Sequence, residues 1–579
     1  MEKDLEKAEA AAAAPDAQRQ DEQQTYHSTS GNDMEKKMDF TRSGLETASE
    51  NDGGSSQSGT ITLDEDEDTA NPAIAPVHIR TRSRSVTRDG NPSVLAPEPS
   101  PVLPLAKDPF EAQWDGIDAD PMCPRSMAVA RKWLIVMITC IGCACVTCAS
   151  SAYTSSYPGM TAEFGCSDLV ATIGLSSFVL GIALGLAWSP LSEFYGRRPI
   201  FLCSLVAFII WLVPSAVAKN IQTMIIARFF QGLSGSAFLS VAGGTVGDLF
   251  SRESMQSPMA IFTVAPFIGP SVGPLIGGFI NTYLNWRWTH YILLIWAFCQ
   301  LVAVFFFVPE TYHPVLLRNK ARRLRKETGD GRYYAAIEKT TDSVAATVGR
   351  ALKRPFELLV RELMILALTL YSAILLGLLY LFFGAFPLVF QGNHGFNLWQ
   401  SGLSFLGLLV GLTISTFFAP LWDNIRNRLI AKRQRDRGLD APVSEPEDRL
   451  PPAMIGAFLV PAGIFIFGWT SSPNIHWIVP IIGSAIFAMG TLFALTSIFT
   501  YFVETYTMYA ASVLAANAFV RCSFAAAFPL FGVQMYHKLG DQWASSLLAF
   551  LTVAMLPSPF LFYKYGKQIR SRSKFAVST

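Results

Sequence analysis

Twelve stretches of about 20 apolar residues, each long enough to cross a bilayer as a helix, leave this chain few folds to choose from. They run Trp133 to Tyr153, Leu169 to Leu191, Pro199 to Ala218, Met224 to Val246, Met259 to Ile280 and Tyr291 to Val308. After a charged segment come Leu363 to Phe386, Ser401 to Leu421, Ala453 to Trp469, Trp477 to Phe499, Ala510 to Met535 and Trp543 to Phe562. In hydrocarbon each backbone N–H and C=O must be paired within its own segment, so spans of this length are helical. The expectation is an all-α membrane protein with twelve transmembrane helices in two six-helix pseudo-repeats. Its layout is a tail over 1–130, a bundle over 131–308, a central loop over 309–362, a second bundle over 363–563 and a C-terminal tail over 564–579.

Charge divides the chain in the same way. Residues 1–130 hold 25 acids against 12 Lys/Arg and the remainder 20 against 34, so the net +1 hides a tail near −13 and a body near +14. The tail, with "LDEDEDT" and "NPSVLAPEPSPVLP", has too little apolar area to offset chain entropy and is expected to be disordered. Its basic island "RTRSRSVTRDG" is either a kinase target at Ser83 or Ser85, or a solvated charge run. No apolar stretch precedes residue 130, so no signal peptide is expected and the first span starts insertion. Basic residues concentrate on the side of the tail, which places both ends and the central loop in the cytoplasm. The segments Arg318 to Lys326 and Arg426 to Arg437 can then lie along an anionic inner leaflet.

Cys140, Cys143, Cys145 and Cys148 spread over about 200° of one helix at 100° per residue and cannot converge on an ion. They read as small packing residues, and no metal or other cofactor is expected.

The second half echoes the first. "SPLSEFYGRR" at 189–198 aligns with "APLWDNIRNR" at 419–428: Pro190 with Pro420, Leu191 with Leu421, Glu193 with Asp423 and Arg198 with Arg428, while Arg426 replaces Gly196. Two six-span halves around a midplane site are the plan of a rocking secondary transporter. "PLSEFYGRRP" resembles the loop signature of the major facilitator superfamily. From Asp108 to Ala576 the chain is similar to the fungal twelve-span drug:proton antiporters, including "ARFFQGLSGSAFLSVAGGTVGDLF", "GPSVGPLIGGFI", "WRWTHYILLIWA", "LPPAMIGAFLVPAGIFIFGWTSS" and "SVLAANAFVRCSFAAAFPLFG".

That resemblance implies a major facilitator fold and roles for particular residues. Gly196, turned just before two arginines, would present Arg197 and Arg198 to Glu193 and Asp248 as a charge-relay latch, with a weaker copy at Asp423 and Arg428. The rival reading makes the arginines only positive-inside anchors. Arg228, Gln231, Gly232 and Gly235 share one face of the fourth span. An arginine in hydrocarbon needs water or a partner, so Arg228 is expected to face the cavity. The resemblance assigns the matching arginine to proton coupling; an ion-pair anchor is the alternative. Gly269, Pro270, Gly273, Pro274, Gly277 and Gly278 form a stripe that resembles the antiporter motif, or else plain small-residue packing. Asn517 and Arg521, one turn apart in the eleventh span, are candidates for the substrate cavity, or for a charge that braces the bundle. His290 and His313 read as interfacial.

No GxxxxGK[ST] phosphate loop occurs, so an ion gradient must drive transport. No nucleophile–base cluster marks an enzyme and no basic domain marks a nucleic-acid partner. The expected function is a monomeric plasma-membrane proton antiporter exporting drugs or secondary metabolites. The middle of every span lacks Asp and Glu, so neutral, amphipathic or anionic cargo is expected ahead of a polyamine. Polyamine export and nutrient uptake are the alternatives.

Overall fold

The computed structural model describes residues 108–115, 120–251, 254–339, 344–437 and 444–576. The acidic tail before residue 108, with Ser83 and Ser85, lies outside them. Apart from one bridge, Glu111 to Tyr334, the regular structure of the described residues is helical. The first half contains α1 (Val129–Ala152), α2 (Asp168–Leu184), α3 (Arg197–Ala216), α4 (Ile221–Leu249), α5 (Gln256–Tyr283) and α6 (Arg287–Phe307). A linker with helices His313–Thr328 and Val344–Arg361 leads to α7 (Leu363–Phe386), α8 (Leu398–Ser404 and Leu406–Phe417), α9 (Pro451–Trp469) and α10 (Ile478–Thr505).

Among the described residues, eleven stretches are long and apolar enough to cross a membrane, and the last, Ala510–Arg572, has 63 residues. Straight, it would extend about 95 Å, some three hydrocarbon thicknesses. It is instead two spans. Gly540 leaves helical geometry at φ 74°, ψ 162°, and Tyr536 and Ser545 share a 2.9 Å hydrogen bond between their hydroxyls. A straight helix would hold residues nine apart about 13 Å from one another. The arms before and after Gly540 are α11 and α12, which brings the total to twelve.

In the first half, α1 packs on α5, and α4 on α2 and α3; in the second, α9 packs on α10, α8 on α10, and α7 on the α11–α12 hairpin. The halves meet where α5 crosses α8 and where α2 faces that hairpin. Without an apolar drive inside lipid, such contacts depend on close backbone approach. A Cβ on Gly402 of α8 would lie 2.6 Å from the Pro274 carbonyl of α5, so this crossing needs glycine.

The face carrying the linker is closed by a strap from the tail. Lys320 binds both Asp115 and Asp120 at 2.7 Å, the Ala112 amide donates to the Tyr334 carbonyl at 2.8 Å, and Trp114 sets its ring edge against His313. Burial pushes the Asp120 carboxyl up, but hydrogen bonds from Lys320 and from the amides of Met122 and Asp115 outweigh it and leave the group below its ordinary 3.8. The Asp120 contribution is therefore present above the ordinary carboxylate value and disappears only as the pH falls through the lowered one. Lys320→Ala should release the strap at neutral pH. Limited proteolysis should then cut residues 108–127 at least five times faster than in the wild type, whereas unchanged cleavage would show that Lys320 does not hold it.

Candidate functional site

On the linker side of the first half, the α2–α3 turn is built around Gly196. Its φ of 103° suits glycine, and a Cβ there would run into the Glu310 carboxylate. Glu310 accepts from the backbone amides of Arg197 (2.8 Å) and Arg198 (3.2 Å), capping the positive end of α3. This frees the Arg197 side chain to bond Asp248 on α4 at 3.1 Å and Ser192 at 2.5 Å, with its guanidinium 4.7 Å from the Tyr312 ring centroid. His313 bonds the Asp248 carbonyl at 2.9 Å, so α2, α3, α4 and the linker share one polar cluster. Arg198 instead donates to the Phe305 carbonyl at 2.7 Å and lies over that ring. Glu193 stays exposed and has no ion-pair partner among the described residues. The geometry thus joins Arg197 to Asp248 and leaves Glu193 and Arg198 beside the pair.

The second copy is built differently. With Arg426 in place of the turn glycine, Ala419–Arg437 continues as one helix. Arg426 and Arg449 both reach Glu504 at the end of α10, at 3.3 and 2.7 Å, and Asp423 lies 3.9 Å from Arg449. Arg428 is exposed and pairs with no acid among the described residues. Beside this cluster, the segment "EPEDR" supplies Glu445, Glu447 and Asp448, all buried. Asp448 takes a two-pronged contact from Arg433 at 2.6 and 2.7 Å, and Glu447 pairs with Arg570 at 3.0 Å. The sequence reading missed Glu310 and this acidic segment. Their signals were a carboxylate directly after the sixth span in "VPETY" and a dense acidic run between the basic segment at 426–437 and the ninth span.

Toward the middle of the membrane, Arg228 is wholly buried. It donates to the carbonyls of Ala149 (2.7 Å), Ser150 (3.0 Å) and Gly174 (3.4 Å) and lies between the Tyr153 and Phe178 rings. It therefore ties α4 to α1 and α2 and does not line the cavity, contrary to the expectation from sequence. The partners that an arginine needs in hydrocarbon are carbonyls and aromatic faces rather than water. Gln231 ties α4 to α3 through the Trp211 carbonyl and Ser215, and a Cβ on Gly232 would meet the α2 backbone at Phe178 and Ile182. His290, expected at the interface, is fully buried near Tyr153, and neither ring nitrogen has a partner. Ser150 and Tyr380, 3.0 Å apart, connect the two halves. Asn517 is buried and accepts from Ser372 at 2.5 Å. Arg521 lies over the Phe499 ring at 4.8 Å, and its Nε and Nη1 are buried without a hydrogen-bond partner.

Two faces of the α5 stripe are used. Gly269, Gly273 and Gly277 bring α5 onto α1 and the turn that follows it, between Ala144 and Ser155, and Gly278 abuts Leu398 and Gly402 of α8. Pro270 and Pro274 lie inside the helix. The Pro274 carbonyl accepts from Ser155. Pro274 also lines a cavity of about 280 Å³ between the halves, together with Asp168, Tyr157, Gln391, Pro529 and His537. Its lining comes from helix ends remote from the linker, so the cavity lies toward the opposite face.

The family model of the Major Facilitator Superfamily matches residues 139–529. The efflux pump atB of Aspergillus terreus is 50% identical over 82% of this chain and 92% of its own. A probable drug/proton antiporter of Saccharomyces cerevisiae, YHK8, is 43% identical over 81% and 91%. Among solved structures, the xylose transporter XylE of E. coli in a partially occluded inward-open conformation aligns with a TM-score of 0.51 at 16% identity, over 75% of this chain and 98% of its own, a likeness of fold. Matching helices, the Gly196 turn and relatives aligned over nearly their whole length converge on one conclusion: the chain belongs to the Major Facilitator Superfamily, within the fungal family of twelve-span efflux pumps and drug:proton antiporters.

Proposed function

We propose that this chain is a monomeric proton antiporter of the fungal plasma membrane that exports small neutral, amphipathic or anionic molecules and catalyses no covalent reaction. The linker and both termini are cytoplasmic in this reading, and the layout is that of two bundles joined by a cytoplasmic loop. The observation that carries it is the cavity between the halves on the face opposite the linker, combined with ion pairs on the linker face. That arrangement is an outward-facing state with its inner gate shut. Gly196 and the Arg197–Asp248 pair form the main latch, with Glu193 and Arg198 beside it, and Asp423 with Arg426, Arg449 and Glu504 forms the second copy, from which Arg428 is left out. Arg228, Gln231 and Gly232 transmit proton coupling, because Arg228 holds three helices at one point beside the buried His290. The stripe from Gly269 to Gly278 forms the antiporter motif on which the halves pivot.

Reconstitution tests this. In proteoliposomes with an acidic lumen, a labelled neutral drug such as fluconazole should accumulate while protons leave, and nigericin should stop it. Accumulation indifferent to the pH gradient, or proton movement in the same direction as the drug, would exclude antiport.

One observation favours polyamine export as a second reading: an acidic residue, Asp168, is among those lining the cavity. We expect labelled spermidine to move at under a tenth of the rate of the neutral drug. Rapid spermidine transport abolished by Asp168→Asn would install the second reading in place of the first.

A further inference from the structure

The two intramembrane arginines are treated differently by the fold. Arg228 spends its donors on three carbonyls and both its faces on aromatic rings. Arg521 has one aromatic face, and two of its nitrogens are buried with nothing to bond. No acid among the described residues forms an ion pair with it, and the sequence holds no Asp or Glu in the middle of any span. A guanidinium keeps its charge even when buried, so it cannot escape by losing a proton. An uncompensated cation in the membrane is costly and is retained where something visits it.

We propose that Arg521 is the anion anchor of the loading site, binding the carboxylate or sulfonate of an amphipathic organic acid taken up from the linker side. The proposal rests on the exporter reading above and names its cargo class. Depth supports the placement. Arg521 is eleven residues into α11 from its linker end, about 17 Å along the helix and near the midplane. Pro529 and Val533, which line the cavity on the other side, come about 12 and 18 Å further on. Arg521 therefore lies below the floor of that cavity, where an exporter collects cargo, and part of its surface remains reachable.

The surroundings define the class. Phe499 lies under the guanidinium, and Phe524 and Phe528, with ring centroids 5.8 Å apart, follow along α11 toward the cavity. A planar fork of donors matches a carboxylate two-pronged, and the aromatic surface beside it suits an apolar body on the same molecule. Asn517, one turn toward the linker, accepts from Ser372 through its Oδ1.

Three probes of one shape separate charge from hydrophobicity: 1-naphthoate, 1-naphthamide and 1-naphthylmethylammonium. Calorimetric binding to the full-length detergent-solubilised protein at pH 7 should show naphthoate bound best. Arg521→Gln should weaken naphthoate at least tenfold and change naphthamide less than about twofold, with Arg521→Lys intermediate. Because it removes an unpaired buried charge, Arg521→Gln should unfold at a temperature no lower than the wild type. Naphthoate affinity untouched by Arg521→Gln overturns the anchor, as does equal weakening of all three probes or failure of the wild type to bind naphthoate. Binding requires no gradient. Arg521-dependent binding without gradient-driven transport would thus leave the anchor standing and sink the exporter reading, and gradient-driven transport insensitive to Arg521 would do the reverse.

Discussion

Arg197→Ala should cut proton-driven efflux more than tenfold at unchanged surface abundance. Arg197 and Asp248 are mostly buried, with side-chain exposures of 9% and 14%. Removing one partner of such a pair strands the other charge at a cost of about 3–5 kcal/mol. That cost falls on the conformation that makes the pair, here the one with the linker face closed. Since each 1.4 kcal/mol is tenfold in a two-state equilibrium, the closed-inside state would lose most of its population. Arg197→Lys should recover part of the activity, because it restores the charge but not the second bond to Ser192. Arg198→Ala is the informative comparison. The sequence signature gives both arginines equal standing and leads to the expectation that Arg198→Ala abolishes export, whereas the geometry gives Arg198 a carbonyl and a ring as partners. Efflux normalised to surface protein decides between them, and wild-type export by Arg197→Ala would remove the latch from the mechanism.

Gly273→Val should also abolish transport while the chain still inserts. A Cβ there would stand 2.7 Å from the Ala152 amide nitrogen and 2.9 Å from the Cys148 carbonyl, both backbone atoms of α1. A flexible side chain could step aside; a helix backbone cannot. Overpacking of this kind typically costs about 1–3 kcal/mol, and here it would pry α5 from α1 next to the contact between the halves. Transport of the labelled neutral drug at least tenfold below wild type, from protein that elutes as a single species in detergent, is the expected result. Normal transport by Gly273→Val would mean that α5 and α1 are free to separate during the cycle.

The spans were legible in the sequence because the bilayer imposes a length and an apolar composition that few other folds share. The Gly196 turn was legible because glycine and flanking arginines announce a tight, charged loop. Glu310 was not, since its role depends on the sixth span returning to the start of α3, more than a hundred residues earlier. Arg228 and Arg521 look alike as letters, each an arginine inside an apolar run. Only packing separates them: two neighbouring helices turn carbonyls and aromatic faces toward Arg228, and nothing similar converges on Arg521.

By itself the sequence determined that the chain crosses a membrane twelve times in two related halves, because hydrophobic length and internal repetition are properties of the chain. The tertiary structure decided which arginine closes the latch, which is satisfied and which is left seeking an anion. Those outcomes depend on distances between residues far apart in the chain, and a buried charge is stabilised or stranded by the few groups within hydrogen-bond reach.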